Sequence, residues 1–214
     1  MAIQTIGVLL VDDHIIVRMG FRQILDSAPD IHVIAEAESG EDASKIFRRL
    51  NPDIIVMDIS MPGMGGMAAA RQILESNAQA RIILLTMHDQ NTFATRALKM
   101  GVKGYLTKRS DPDELIQAVR MVYRGRNYIE PAIAQELAIC HLTGDSNPID
   151  VLSPREFEVF AALADGQTVK EISAILFLSP KTVAVHRTNI LHKLHANNLS
   201  DITRLAIRHG IIEA

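Results

Sequence analysis

The chain is poor in the features that mark exported or membrane-embedded proteins. It holds one cysteine, Cys140, among 214 residues. No disulfide can form within the chain, which fits a reducing compartment, and a cytoplasmic location is expected. No apolar run approaches the ~20 residues that span a bilayer. The start of the chain runs straight into a strand-like segment, without the basic, apolar and small-residue order of an export signal. No membrane partner is therefore expected. An excess of basic charge is also lacking: the formal net charge is -3. The net charge gives no global hint of nucleic acid, and any basic patch must be local. Internal repeats and low-complexity tracts are missing too. What remains is a chain that is 48% hydrophobic and 22% charged. That composition suits one or two domains, each with a buried core.

The first part alternates two patterns. "IGVLLV" (Ile6–Val11), "HVIAEA", "DIIVMD", "RIILLT" and "VKGYLT" are strand-like. Between and after them run the helical patterns "IIVRMGFRQILDS", "GEDASKIFRRL", "AAARQILES", "TFATRALKM" and "PDELIQAVRMVYR". Strands apolar along their whole length are buried on both faces, as in a parallel sheet. Strand then helix, five times over, predicts a doubly wound α/β domain with a five-stranded parallel sheet over 1–124. Residues 125–150 read as a connector: "EPAIAQELAICHL" could form a short helix, and the polar "TGDSNPID" is linker-like. From 151 to 214 the pattern is helical only, which predicts a separate all-α domain of four helices. Two of these open with Ser-Pro, an N-cap followed by a proline at the first helical position.

The ends of the predicted strands carry charge. Asp12 and Asp13 follow the first strand, Asp58 ends the third, Thr86 ends the fourth, and Lys108 follows the fifth. In a parallel sheet these ends share one edge, where ligands bind. Three carboxylates crowded there resist ionising together. A hard divalent cation relieves that conflict, and Mg²⁺ suits oxygen ligands. Asp58 is then a candidate nucleophile, since carboxylates accept phosphoryl groups as aspartyl-phosphate. Pro62, Gly63, Gly65 and Gly66 allow the next loop to turn tightly and stay close. Each feature alone has a plainer explanation: an acidic pair caps a helix, and an acid at a strand end is a turn residue. The ordered set Asp-Asp, Asp, Thr and Lys at strands one, three, four and five is rare by chance.

On these residues the first part resembles a response-regulator receiver domain, a flavodoxin-like fold, over its whole length. The resemblance implies that Asp58 is the phosphoacceptor and that Thr86 and Lys108 sense the phosphoryl group. It makes Tyr105 the switch aromatic. It implies Mg²⁺ held directly by Asp13 and Asp58, with Asp12 acting largely through water and the Ser60 backbone carbonyl as a further ligand. A sensor histidine kinase is the implied phosphodonor.

In the tail, "TVKEISAILFLSPKTVAVHRTNILHKL" reads as two helices around a short turn. Val169, Ile172, Ile175 and Leu176 form one apolar stripe, and Val183, Ile190, Leu191 and Leu194 form another. The second helix leaves a mildly basic outward face, the shape of a helix-turn-helix. From Ser179 to Ala214 there are five Lys or Arg against two acids. The bland alternative is a helical bundle with a solvated face. "LSPRE", "KEISAIL", "LSPKTVAVH" and "HKL" resemble the LuxR-type DNA-binding domain. Together with the receiver, the chain is similar to NarL/FixJ-family regulators, and "YLTK", "YIEPAIAQEL" and "LAIRHGII" make it resemble most the GacA/UvrY subgroup. Val169 stands where that family commonly has Asn, and Ala184 where some members carry a basic residue. The resemblance implies that Ala184, Val185 and Thr188 face the major groove. It implies that Ser179, Lys181, Thr182, Arg187 and Lys193 hold phosphates. Contacts of the second kind position the helix, and those of the first specify sequence.

The sequence thus predicts a transcription regulator, phosphorylated on Asp58, that binds double-stranded promoter DNA as a homodimer and is not a conventional enzyme. Two rivals stand beside it. An aspartyl-phosphate phosphatase of the haloacid-dehalogenase type wants an acid two residues after the nucleophile, where this chain has Ser60. A phospho-switched interaction module would never meet DNA.

Overall fold

The computed structural model describes residues 5–87, 91–143, 148–209 and 211–212. Residues 144–147 of the linker-like stretch therefore lie outside the described residues. The chain divides into two compact units, residues 1–89 with 97–137 and residues 90–96 with 138–214.

In the first unit, strands β1 (Ile6–Val11), β2 (Ile31–Ala37), β3 (Ile54–Asp58), β4 (Ile82–Thr86) and β5 (Gly104–Thr107) form one sheet with a short β6 (Tyr128–Ile129), in the order β2-β1-β3-β4-β5-β6. All pairs are parallel. Helices α1 (Ile15–Asp26), α2 (Gly40–Leu50), α3 (Gly65–Ser76) and α5 (Pro112–Tyr123) connect the strands, while α4 (Asn91–Met100) and α6 (Pro131–Thr143) are each divided between the two units. Every residue of β3 and β4 is buried, as an apolar run between two helical layers requires. Fully burying one such Ile or Leu stabilises by about 1.5–3 kcal/mol. One core layer joins Val8, Leu10, Val56, Ile83, Leu85 and Leu106 to Leu115, Val119 and Val122 of α5. Local signals set the helix starts: Ser39 accepts from the Asp42 N–H, and Asp111 from the Asp113 N–H ahead of Pro112.

The sheet has six strands, not the five expected. The sixth pairs Tyr128 with Gly104 and Ile129 with Tyr105. Two residues are too few to show an apolar period, and their pairing depends on backbone groups: the Tyr128 N–H donates to the Lys103 carbonyl and the Glu130 N–H to the Tyr105 carbonyl. The stretch 125–150 is thus structured at both ends, by β6 and α6 first and by a 3-10 turn over Pro148–Val151 last.

In the second unit, α7 (Pro154–Ala164), α8 (Val169–Ile175), α9 (Pro180–Lys193) and α10 (Leu199–Arg208) surround a core that includes Phe157, Phe160, Ile172, Val183, Ile190 and Ile202. Val183 and Ile190 are fully buried, while Leu191 and Leu194 are only half-buried. Capping boxes Ser153–Glu156 and Thr168–Glu171 start α7 and α8, and Ser179 and Asn198 cap α9 and α10. No helix among the described residues is long and apolar enough to cross a membrane.

Candidate functional sites: an acidic pocket and an exposed helix

The strand order reverses at β1 and β3, and the carboxyl ends of these strands deliver Asp12 and Asp58 side by side. Both are 1% exposed, as is Thr86 at the end of β4. Lys108, just after β5, sends its ammonium to 2.7 Å from Asp12 Oδ2 and 2.9 Å from Asp58 Oδ2. The Lys108 main chain is fixed by its N–H donating to the Thr86 carbonyl at 2.6 Å. Asp12 Oδ1 accepts from the His14 N–H at 2.8 Å, and Asp58 Oδ1 from the Ser60 N–H at 3.1 Å. The sequence-predicted Asp12, Asp13, Asp58, Thr86 and Lys108 therefore converge on one edge.

Charge in the pocket does not balance. Burial pushes the Asp58 carboxyl above its ordinary range; the Lys108 ammonium and the Ser60 N–H pull it back, and Asp12 adds to the rise. For Lys108, burial works against the charged form, but Asp12 and Asp58 outweigh it and hold the ammonium above the usual lysine range. Among the described residues, one ammonium faces three carboxylates. Among the described residues, the buried oxygens Asp12 Oδ2 and Asp58 Oδ2 share the one Lys108 ammonium, and Asp13 Oδ1 has His14 Nδ1 beside it. Ligand atoms of Asp12, Asp13, His14 and Asp58 lie within 4.8 Å of one another. This excess of buried oxygen fits a hard dication. His14 was not singled out by sequence reasoning. It stands in "VDDH", and its Nδ1 lies 3.1 Å from Asp13 Oδ1.

The loop after β3 shows why the backbone there must be permissive. A Cβ at Gly66 would lie 1.9 Å from the Asp58 carbonyl oxygen and 2.9 Å from Ile59 Cα. The Gly66 N–H donates back to the Ile59 carbonyl at 3.0 Å. Gly65, at φ +64°, turns the chain into this contact. The start of α3 is thereby pressed against the Asp58 end of β3. Tyr105 on β5 is fully buried; burial pushes its phenol above the ordinary value, and the Thr86 hydroxyl beside it works the other way.

In the second unit α9 carries the predicted nucleic-acid face. Ser179 accepts from the Thr182 N–H at 3.1 Å, so its hydroxyl is engaged as a helix cap. Lys181, Ala184, Val185 and Thr188 are all exposed and follow the i, i+3, i+4, i+7 spacing of one helical stripe. Thr188 donates its hydroxyl hydrogen to the Ala184 carbonyl at 3.1 Å, which leaves its oxygen free to accept. Arg187 and Thr182 are half-buried beside the stripe. Lys193 is placed differently. Its ammonium is 2.7 Å from Glu156 Oε2 and 3.4 Å from the Val151 carbonyl. Glu156 is buried and also accepts from the Ser153 N–H at 2.8 Å. The spacing Ser153-x-x-Glu156 was a signal for that cap, but nothing local marks Lys193, 37 residues on, as its partner.

Comparisons with known proteins match both units. Residues 8–120 match the response regulator receiver domain, and residues 150–206 match the bacterial regulatory proteins of the luxR family. The chain is 43% identical to the response regulator UvrY of Escherichia coli (strain K12), over 98% of this chain and 97% of that one. It is 40% identical to the response regulator GacA of Pseudomonas viridiflava, over 98% and 99%. Among solved structures it resembles RcsB from Salmonella enterica serovar Typhimurium bound to promoter P1flhDC in the presence of the phosphomimetic BeF3-, with TM-score 0.72, 25% identity and coverage of 94% and 99%. An acid pocket at a receiver sheet's edge, followed by a capped helix-turn-helix, places this chain in the family of response regulators with a LuxR-type output domain, beside UvrY and GacA.

Proposed function

We propose that this regulator accepts a phosphoryl group on Asp58 from a sensor histidine kinase and, once phosphorylated, binds promoter DNA as a homodimer through α9. As a family member it is a phosphorylation-controlled DNA-binding transcription regulator; the residue roles and the dimer are our assignment. The observation that carries it is the pocket: a buried carboxylate paired with a buried lysine, beside two further acids. Asp58 Oδ2 attacks phosphorus, the bond from phosphorus to the donor's histidine nitrogen breaks, and that nitrogen leaves with the electron pair. The Ser60 N–H holds the other oxygen in place, so the attacking one has only the Lys108 ammonium beside it. Asp12, Asp13 and Asp58, with the Ser60 carbonyl, would hold Mg²⁺, which supplies positive charge to the phosphoryl oxygens when bound. Lys108 exchanges its pairing with Asp12 and Asp58 for a phosphoryl oxygen, the Thr86 hydroxyl donates to another, and Tyr105 repacks beside Thr86. A phosphatase is disfavoured because Ser60, exposed and uncharged, stands where that chemistry needs a second acid.

We assign residues 1–124 to the receiver, 125–150 to a connector and 151–214 to the DNA-binding domain. Within the last, Ala184, Val185 and Thr188 read bases, while Ser179, Lys181, Thr182 and Arg187 hold phosphates. Asp58→Asn keeps the shape and removes the nucleophile. No base-labile phosphoryl label should form on it from either the kinase or a small acyl phosphate, and DNA affinity should no longer respond to the donor. A label that persists on the variant overturns the assignment.

A further inference from the structure

Glu130 follows β6 and precedes Pro131 at the start of α6, and its main chain serves both. Its N–H donates to the Tyr105 carbonyl at 3.0 Å, and its carbonyl accepts from the Ala134 N–H at 2.9 Å, closing the first turn of α6. That second bond has a consequence for β5. In a parallel ladder, the next acceptor for the Thr107 N–H would be the Glu130 carbonyl, which the helix has taken. The Glu130 side chain stands in: Oε2 accepts from the Thr107 N–H at 2.7 Å. The Ser110 hydroxyl lies 2.6 Å from the same oxygen and 2.9 Å from the Thr107 carbonyl, and its single hydrogen favours the charged acceptor. Thr107 is itself buried. Glu130 therefore grips the chain one residue before Lys108 and two residues after it.

We propose that Glu130 is a positioning residue for Lys108, and that it ties the pocket to the connector: the carboxylate that fixes the lysine loop belongs to the residue that starts α6. This rests on the assignment of Lys108 and the acidic pocket above. With the loop gripped, the Lys108 ammonium is held between Asp12 and Asp58, in competition with a divalent cation for the same oxygens. Movement of Lys108 toward a phosphoryl group pulls on Thr107 and Ser110, and through Glu130 on the first turn of α6.

The test is a Mg²⁺ titration of the full chain by calorimetry, with the parent, Glu130→Ala, Glu130→Gln and Ser110→Ala. Freeing the loop weakens the competing ammonium, so Glu130→Ala should bind Mg²⁺ roughly two- to fivefold more tightly, the low end of couplings between groups in one network. Mere loosening of the fold would weaken binding instead. Glutamine keeps an acceptor for the Thr107 N–H and should fall between parent and alanine, and Ser110→Ala should shift binding in the same direction by less. Hydrogen exchange at Tyr128–Ala134 should respond to Mg²⁺ with BeF3- in the parent and respond less in Glu130→Ala. Unchanged or weakened Mg²⁺ affinity in Glu130→Ala overturns the proposal while leaving the pocket assignment standing. If Glu130→Ala does not fold, the Glu130→Gln and Ser110→Ala titrations decide by the same sign. A parent that binds no Mg²⁺ overturns the pocket assignment and this inference with it.

Discussion

The pocket at the sheet edge and the outward stripe of α9 are opposite solutions to burial. Among the described residues, the pocket gathers three acids around one lysine, with Asp12 and Asp58 buried and sharing its ammonium. The α9 stripe exposes Lys181, Ala184, Val185 and Thr188, with the helix end already capped by Ser179. The first region is destabilised by its own composition and is therefore shaped for something that must arrive. The second is at rest in water, and only its shape and mild charge favour a partner. A buried site declares its chemistry through the charges it crowds together, whereas the exposed face proposed to read DNA would show its chemistry only against that partner.

Gly66→Ala should give the largest effect and mark the strained side of that contrast. The new Cβ would meet the Asp58 carbonyl and Ile59 Cα, both main chain, so neither can move aside alone. A loss of about 3 kcal/mol or more is expected from overpacking against backbone. Urea unfolding of the full chain should place this loss in the receiver's transition and leave the helical unit's transition unchanged. A near-neutral result would mean that α3 can retreat from the strand end at little cost.

Next comes Glu156→Ala, which breaks the helical unit instead. It removes the bond to the Ser153 N–H and unpairs Lys193. A cost of about 2 kcal/mol is expected, from a lost cap bond and a lost charge-assisted bond. Glu156→Gln should cost less, since it keeps an acceptor for Ser153. The two regions should also respond oppositely to acid. Burial works to raise Glu156, but Lys193 and Ser153 outweigh it and hold its carboxyl below the ordinary 4.5. The folded helical unit thus holds fewer protons than the unfolded one, and this stability, complete above 4.5, is lost as pH falls through the lowered value. Asp58 is raised above 3.8. Its contribution is fullest below 3.8 and declines as pH rises through the raised value, so Asp58→Asn should stabilise the receiver at neutral pH. Melting curves of parent and variants across pH 3 to 7, read separately for each unit, check both signs.

How much of this was legible in the sequence follows the same divide. Asp12, Asp58, Thr86 and Lys108 were found because parallel topology forces strand ends together, and a continuous apolar run ending in a charge is visible locally. The β6 strand was missed because two residues hold no period and their partners are main-chain groups of β5. His14 was overlooked because "DDH" already had a reading as an acidic pair. Glu130 carried no signal, since its role depends on where β5 ends in space. The stripe Lys181, Ala184, Val185 and Thr188 followed from helical spacing alone. Lys193 was grouped with it because spacing reports a residue's angle on a helix but not whether a neighbouring helix holds its charge.

Smaller effects test the α9 stripe itself. Val185 is 52% exposed in the middle of it. A methyl-to-methyl contact with thymine is what its side chain can offer in the major groove. Val185→Ala should cost about 1 kcal/mol of discrimination at one base position and little elsewhere. A series of single base-pair substitutions in one operator, measured with parent and variant, should show the change confined to one column. Loss spread evenly over all columns would mean that the helix is rotated from the orientation proposed.

The finest comparison is between two lysines of the same helix. Lys181 is exposed at the first turn of α9, where the helix N-terminus also favours anions. Lys193 lies at the last turn, engaged with Glu156. Lys181→Ala should weaken binding on every sequence alike and flatten the plot of log affinity against log salt by about one unit, as loss of one phosphate contact does. Lys193→Ala should leave that slope unchanged. Its ion pair is 39% exposed on the lysine side, so solvent screening limits the stability loss to about 1 kcal/mol or less. Affinity should then fall only as far as the folded fraction does. Binding measured at four salt concentrations, with folded fraction checked at each, separates the two. Equal slopes for the two variants, both flatter than the parent, would mean that Lys193 leaves Glu156 for a phosphate when DNA arrives.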